Sequence, residues 1–473
     1  MISIDMLFDD VLLEIFDIYM NENEDSDEDL DDEDFKAEVE KWQTLVHVCR
    51  RWRSIVFGSP RRLNLRLVCI QGTPARDALD VWPSLPLVIQ DTFDHPTEGV
   101  DDIVAVLERG KDRVVEIYLI KFDNSEFETL LAAMQVPFPE LKVLVLISEG
   151  GMESVLPDSF VGGSAPRLET LALSRIPFPG IPKLLLSTTH LVTLRLEIPH
   201  SGYISPEAMV TALSTLTSLG CLSLQFESPR SRPDWANRHL PLPTRSFLPV
   251  LNKIRFNGVC EYLEDLVVCI DAPRLNEVEI TFFDQIVFDT SQFIQFISRT
   301  PTLETFEKAH VFFDYGDARV NLSSQTPGHG KLNVKIPCNG QISSMEKVCT
   351  SCLPPLSMLE DLYIYEPPFL HPDWVRNIEN SLWLGILQPF SSVKNLYLCK
   401  RIVSRIMPAL QELVGGRTTE VLPTLQNIFL EDFRPSTVQA GIQQFVAMRQ
   451  VTNHPIALSC WDNSKEDMAK YSY

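Results

Sequence analysis

One phrase of apolar and polar positions returns along most of the chain. A proline or small polar residue is followed by aliphatic residues at the first, fourth and sixth places of a six-residue run. It reads PELKVLVL from Pro139, PRLETLAL from Pro166, THLVTLRL from Thr189, TSLGCLSL from Thr217 and LPVLNKIRF from Leu248. Later copies are PRLNEVEI from Pro273, PTLETFEK from Pro301, LSMLEDLYI from Leu356, FSSVKNLYL from Phe390 and PTLQNIFL from Pro423, with a weaker DRVVEIYL from Asp112. Alternating apolar positions predict a short strand in each phrase. The middle apolar residue serves as a register mark: Ile117, Leu144, Leu171, Leu194, Leu222, Ile254, Val278, Phe306, Leu362, Leu396 and Ile428. Successive marks lie 27, 27, 23, 28, 32, 24, 28, 56, 34 and 32 residues apart. The step of 56 reads as two steps of 28, and Val334 at its midpoint predicts a hidden strand in KLNVKI. IALSC near 456–460 predicts a last strand, and LNLRLVCI (63–70) and LPLVIQ (85–90) two early ones.

Between the phrases there is room for helices. SPEAMVTALSTL from Ser205, SQFIQFISRT from Ser291 and STVQAGIQQFVAMRQ from Ser436 carry apolar residues at helical steps, each behind a serine suited to the N-cap. A strand and a helix every 23 to 34 residues is the period of a leucine-rich repeat, lengthened in places. Each such unit buries its apolar face only against its neighbours. The predicted fold class is therefore α/β: a leucine-rich-repeat solenoid, a curved parallel sheet with outer helices, over residues 111–460. A doubly wound sheet is the competing architecture, but no glycine-rich phosphate loop follows any strand.

The first 66 residues follow a different period. Leu7, Val11, Leu12, Ile15, Phe16 and Tyr19 fall on one face of a helix, and Leu45, Val48, Cys49, Trp52, Ile55 and Val56 on a second, which Gly58, Ser59 and Pro60 end. Between them an acidic insertion, 21–38, is too charged to bury. Residues 67–110 read as a linker or degenerate first repeat, and 461–473 as a C-terminal tail.

Charge narrows the function. The net charge is −23, of which residues 22–38 carry −10, with eleven carboxylates against one lysine. The remaining −13 is spread over the rest of the chain, a field that repels nucleic-acid phosphates and anionic membrane alike. No apolar run approaches the roughly 20 residues that span a bilayer. The ten cysteines sit mostly among apolar residues, as in Leu67-Val68-Cys69-Ile70, which suits buried thiols in a reducing, cytoplasmic or nuclear compartment. Cys349 and Cys352 form the one C-x-x-C, without a second ligand pair at zinc spacing, so neither metal nor cofactor is expected. The nine histidines are dispersed, and none stands in a nucleophile or zinc-protease signature, so no catalytic residue and no enzyme activity is expected.

Residues 6–19 (MLFDDVLLEIFDIY) and 42–65 (WQTLVHVCRRWRSIVFGSPRRLNL) resemble the F-box motif, through Leu7, Val11, Leu12, Ile15, Phe16, Leu45, Val48, Cys49, Arg50, Trp52 and Arg53. The whole chain resembles the F-box/leucine-rich-repeat proteins expanded in mushroom-forming fungi. Two departures stand out: Phe8 replaces the family's proline, and the acidic insertion lengthens the first connection. The resemblance implies an N-terminal F-box that docks on a Skp-family adaptor and, through it, a cullin. Leu7, Leu12, Ile15, Val48, Cys49 and Trp52 would form the adaptor face, with Trp52 as its anchor. The chain would then be the substrate-recognition subunit of a cullin-RING ubiquitin ligase, its repeats holding a protein substrate of unknown identity. The alternative is a repeat scaffold outside any ligase, its N-terminal helices turning the same face onto the first repeat as a cap.

The residue after each register mark is expected on the open face of the sheet. These are Tyr118, Val145, Ala172 and Arg195, then Ser223, Arg255, Glu279, Glu307 and Lys335, then Tyr363, Tyr397 and Phe429. The last three would form an aromatic ladder on neighbouring strands, the candidate substrate contact.

Overall fold

The computed structural model describes residues 7–21, 36, 39–70, 74–75, 77–92, 100–148, 150, 154–178, 181–227, 245–283, 290–313, 317–324, 330–337, 343–366, 379–413, 417, 419–431 and 437–461. Most of the acidic insertion and the tail after Trp461 lie outside them. The chain divides into two compact units, Met1–Tyr203 and Ile204–Tyr473.

The first unit opens with three helices, α1 (Asp9–Met20), α2 (Trp42–Val48) and α3 (Arg50–Gly58). The expected second helix is thus two. Cys49 between them is extended (φ −157°, ψ 169°), and its Sγ accepts the amide of Trp52, capping α3. Six parallel strands follow in chain order: β1 (Leu67–Cys69), β2 (Leu87–Thr92), β3 (Val114–Phe122), β4 (Val143–Ser148), β5 (Thr170–Ser174) and β6 (Thr193–Ile198). The register marks fall opposite one another, Ile117 on Leu144, Leu144 on Leu171 and Leu171 on Leu194. Lys121 (φ 63°) is the extra residue of a bulge between Ile120 and Phe122. Between strands lie α4 (Val100–Gly110) and α5 (Asn124–Ala133), the latter held by an Asp123/Glu126 capping box.

The second unit holds β7 (Cys221–Phe226), β8 (Ser246–Phe247), β9 (Lys253–Gly258), β10 (Ile270–Asp271), β11 (Glu277–Phe282), β12 (Lys308–Phe313), β13 (Asp317–Ser323) and β14 (Lys331–Pro337). It ends with β15 (Asp361–Tyr365), β16 (Asn395–Leu398), β17 (Asn427–Glu431) and β18 (Ala457–Trp461). β8 and β10 pair with each other beside the main sheet. The expected hidden strand is β14 and the expected last strand β18. The sheet is not wholly parallel, however. Its order runs β11-β14-β13-β12-β15, and β13 is antiparallel to both neighbours. Residues 314–316 are too short a connection for the crossover that a parallel pair needs, so the long step holds a three-stranded meander rather than two ordinary repeats.

In each phrase except PTLETFEK the three apolar positions are buried, the first in the turn before the strand and the other two within it. Leu141, Leu144 and Leu146, or Leu359, Leu362 and Ile364, are examples. Each such side chain stabilises the stack by about 1.5–3 kcal/mol. The helices bridge repeats with polar groups as well. Ser205 caps its helix (Pro206–Leu213) as expected, by accepting from Ala208 N at 3.2 Å. The helix Ser291–Ser298 is capped instead from the preceding repeat, where the buried Glu264 carboxylate accepts the amides of Gln292 (2.8 Å) and Phe293 (2.9 Å). Arg449, fully buried, donates to the carbonyls of Leu422, Pro423 and Leu425 in the turn before β17.

Candidate interaction surfaces

The N-terminal helices present one face inward and another to solvent. Leu12, Leu13 and Phe16 of α1 pack inward, together with Leu45 and Val46 of α2 and Ile55 and Val56 of α3. Phe16 meets the Trp52 ring at 4.7 Å. Arg51 ties α3 to the start of α1 through the carboxylate of Asp9 and the carbonyl of Leu7. Trp42, with no exposure, donates from Nε1 to the carbonyl of Arg66 (2.9 Å) and meets the edge of Trp82 at 5.0 Å. The carboxylate of Glu40 accepts the Val68 amide of β1 at 2.8 Å, and burial raises its pKa. These two contacts seal the edge of the first strand. On the other face of α1, Phe8 (81% exposed), Val11 (42%), Ile15 (41%) and Ile18 (69%) form a stripe at steps of three and four residues, and Val48 on α2 is 57% exposed.

Of the six residues assigned to an adaptor face, Ile15, Val48 and Cys49 are therefore exposed, while Leu7 and Trp52 are half-buried. Leu12 is wholly buried in the segment's own core. Phe8, Val11 and Ile18 belong to the open stripe; their three-and-four spacing is the signal that finds them.

On the second unit, one row of side chains can be followed strand by strand across one face of the sheet. It runs Ser223, Arg255, Glu279, Asn333, Asn321, His310, Tyr363, Tyr397, Phe429 and Ser459. Two expected members are displaced. Glu307 lies in the turn before β12, where its carbonyl accepts from the amides of Glu360 and Asp361. Lys335 lies one row further along β14, opposite Thr281 and Arg319. Their places are taken by His310 and Asn333, because the meander shifts the register: Ala309, not Phe306, stands opposite Leu362.

The row divides by chemistry. Towards its start, charges compensate one another: Arg255 pairs with Glu279, Lys253 with Glu277 and Glu279, and Lys335 with Asp317. Towards its end, rings stack. His310 lies on Tyr363 at 4.5 Å and 6°, Tyr363 on Tyr397 at 4.1 Å and 9°, and Tyr397 on Phe429 at 4.5 Å and 8°. The three expected aromatic residues thus meet, and His310 extends them. The Tyr365 hydroxyl lies 3.3 Å from His310 Nδ1. Burial, with Lys308 beside it, lowers the His310 pKa to about 4, so the ring is neutral at pH 7. Alongside runs a chain of side-chain hydrogen bonds, Asn427 Nδ2 to Asn395 Oδ1 and Asn395 Nδ2 to Asp361 Oδ1, both at 2.8 Å. On the first unit the matching row is Tyr118, Val145, Ala172 and Arg195, with the Tyr118 hydroxyl pushed up to about 12 by burial and the Glu116 carboxylate.

Among the described residues, no cluster of three or more histidine, cysteine or acidic side chains is placed to hold a metal ion, and no helix is long and apolar enough to cross a membrane. Cys349 and Cys352 are buried, and burial raises both thiols, that of Cys352 to about 12.

The arrangement defines a class, a protein of leucine-rich-repeat architecture with mostly parallel strands and helices between them. No protein-family model matches the chain, and no curated protein matches it. Among solved structures, the leucine-rich repeat-containing protein LegL7 from Legionella pneumophila is similar at 12% identity. The match covers 80% of this chain and 97% of that one, with a TM-score of 0.27.

Proposed function

We propose that the chain is the substrate-recognition subunit of a cullin-RING ubiquitin ligase. It docks on a Skp-family adaptor through its N-terminal helices and holds a protein substrate on the open face of its repeats. The contribution is proximity: the substrate's effective concentration rises near the ubiquitin-charged enzyme, and no residue of this chain acts on a bond. The observation that supports the reading is the stripe Phe8, Val11, Ile15 and Ile18, an amphipathic helix with one apolar edge inward and another in water. An exposed apolar stripe on a helix is the form in which helix-in-groove and helix-bundle partners are taken up. A cap serving only the first repeat would turn this stripe inward. The sealing of β1 by Trp42 and Glu40 favours the scaffold reading to that extent; the same segment performs both tasks with different faces.

The test co-expresses the full chain with a Skp-family adaptor and follows the complex by size exclusion. Trp52→Ala is a poor control because Trp52 packs on Phe16. Ile15→Asp and Val48→Asp change exposed positions and leave the thermal midpoint intact. The expected result is a complex for the wild type and at least about a 100-fold weaker one for the double variant. A folded wild-type chain that forms no complex would leave the scaffold reading.

A further inference from the structure

Trp461 is the last described residue of β18 and lies opposite Glu431 of β17. Yet its ring meets Tyr397 of β16 at 5.6 Å and Tyr363 of β15 at 5.8 Å. Strands stand about 4.8 Å apart, so β15 is about 14 Å away along the sheet. The indole therefore reaches back across β17 and β16 and lies against the aromatic ladder, which keeps Trp461 at 8% exposure and Tyr363 at 2%. It meets the two tyrosines tilted, at 69° and 60°, whereas the ladder rings stack within 9° of one another.

We propose that this part of the open face is a receptor for an aromatic side chain carried by a partner protein, and that Trp461 occupies the place in the free chain. The proposal rests on the reading of the open face as a protein-binding surface and names what that surface recognises. Three observations carry it. The place is already filled by an aromatic group, so its size and polarity suit one. The group that fills it comes from the terminal strand, which pairs with β17 alone among the described strands. It can leave without opening a sheet between two neighbours. Beside the ladder, the Asp361–Asn395–Asn427 chain offers carboxylate and amide groups of the kind that bind a peptide backbone, which points to a protein-borne ring rather than a free small molecule. An internal occupant competes at high effective concentration, so the wild type binds such a ring more weakly than a chain without the indole.

The test uses the full-length chain and indole itself as the probe, with binding read by saturation-transfer NMR and by the thermal midpoint. Trp461→Ala is expected to bind indole in the millimolar range, at least about tenfold more tightly than the wild type. Adding Tyr397→Ala to that variant is expected to abolish the gain. A folded Trp461→Ala that binds indole no better than the wild type overturns the proposal. Trp461→Leu, which keeps an apolar side chain on the strand, gives an intermediate gain and guards against loss of folding. If neither variant folds, the indole is a core residue and the proposal also fails. Adaptor capture by the same variants stays at the wild-type level. Its absence in every chain sinks the ligase reading and leaves the indole measurement to decide this one.

Discussion

The N-terminal helices and the end of the repeat sheet both carry more apolar surface than a free surface needs, and they dispose of it differently. In the helices, Phe8, Val11, Ile15 and Ile18 stand in water while Leu12, Leu13 and Phe16 face inward. At the end of the sheet, the exposed side of the ladder has been covered by the chain's own Trp461. The difference follows from architecture. A short helical segment buries too little surface on folding to enclose every apolar side chain it presents. A sheet face, by contrast, lines up rings at strand spacing, where they stack on one another and a long side chain from a neighbouring strand can lie over them. On the two proposals made above, the open stripe takes a partner without rearrangement, whereas the covered ladder takes one only in exchange for its own cover.

Three measurements break or sharpen this contrast. The largest effect is expected at Trp42, where helices and repeats join. Trp42→Ala removes a fully buried ring and leaves the Arg66 carbonyl without its donor, and the expected cost is about 3–5 kcal/mol in denaturant unfolding. An unchanged midpoint would show that the helices fold apart from β1. Next comes His310. Its folded pKa of about 4 lies below the ordinary histidine value, so the unfolded chain binds the proton more readily. The associated stability is present above about pH 6.5 and is lost as pH falls towards 4, amounting to about 2 kcal/mol between pH 7.5 and 5. His310→Phe keeps the stacking position and flattens that part of the pH profile; a profile that keeps its slope would place the titration elsewhere. The smallest effect is expected at Tyr397→Leu, which removes stacking on Tyr363 and Phe429 at a cost of about 1 kcal/mol while leaving adaptor capture unaffected. A change in capture would mean that the two surfaces are not independent.

Much of the sheet was legible from spacing alone. Ile117, Leu144, Leu171 and Leu194 pair as their positions imply, as do Leu362, Leu396 and Ile428, because each strand has a period of two and one buried face, so a slip by one residue would turn every leucine to water. The same rule brought Tyr363, Tyr397 and Phe429 onto one row. It failed at Phe306, since the spacing of 56 residues fits two helix-linked repeats as well as one three-stranded meander. The spacing therefore points to Glu307 where the structure places His310. Leu12 was assigned to the adaptor face for a related reason: helical periodicity marks it as apolar, but whether it faces inward or outward depends on where Phe16, Trp52 and the other helices stand.

The sequence by itself determined the repeat, the strand registers outside the β12–β14 meander, the break between the N-terminal helices and the array, and the aromatic character of the last strands. All of these are local periodicities of side-chain polarity, and local backbone geometry converts period into face. Only the tertiary structure decided which apolar residues find cover. Trp461 reaches over two strands to the ladder, Glu264 satisfies backbone groups in the next repeat, and Arg449 those of the turn before β17. Among the described residues, Phe8, Val11, Ile15 and Ile18 are left exposed. Such contacts depend on distances between elements far apart in the chain, and no period within either element encodes them.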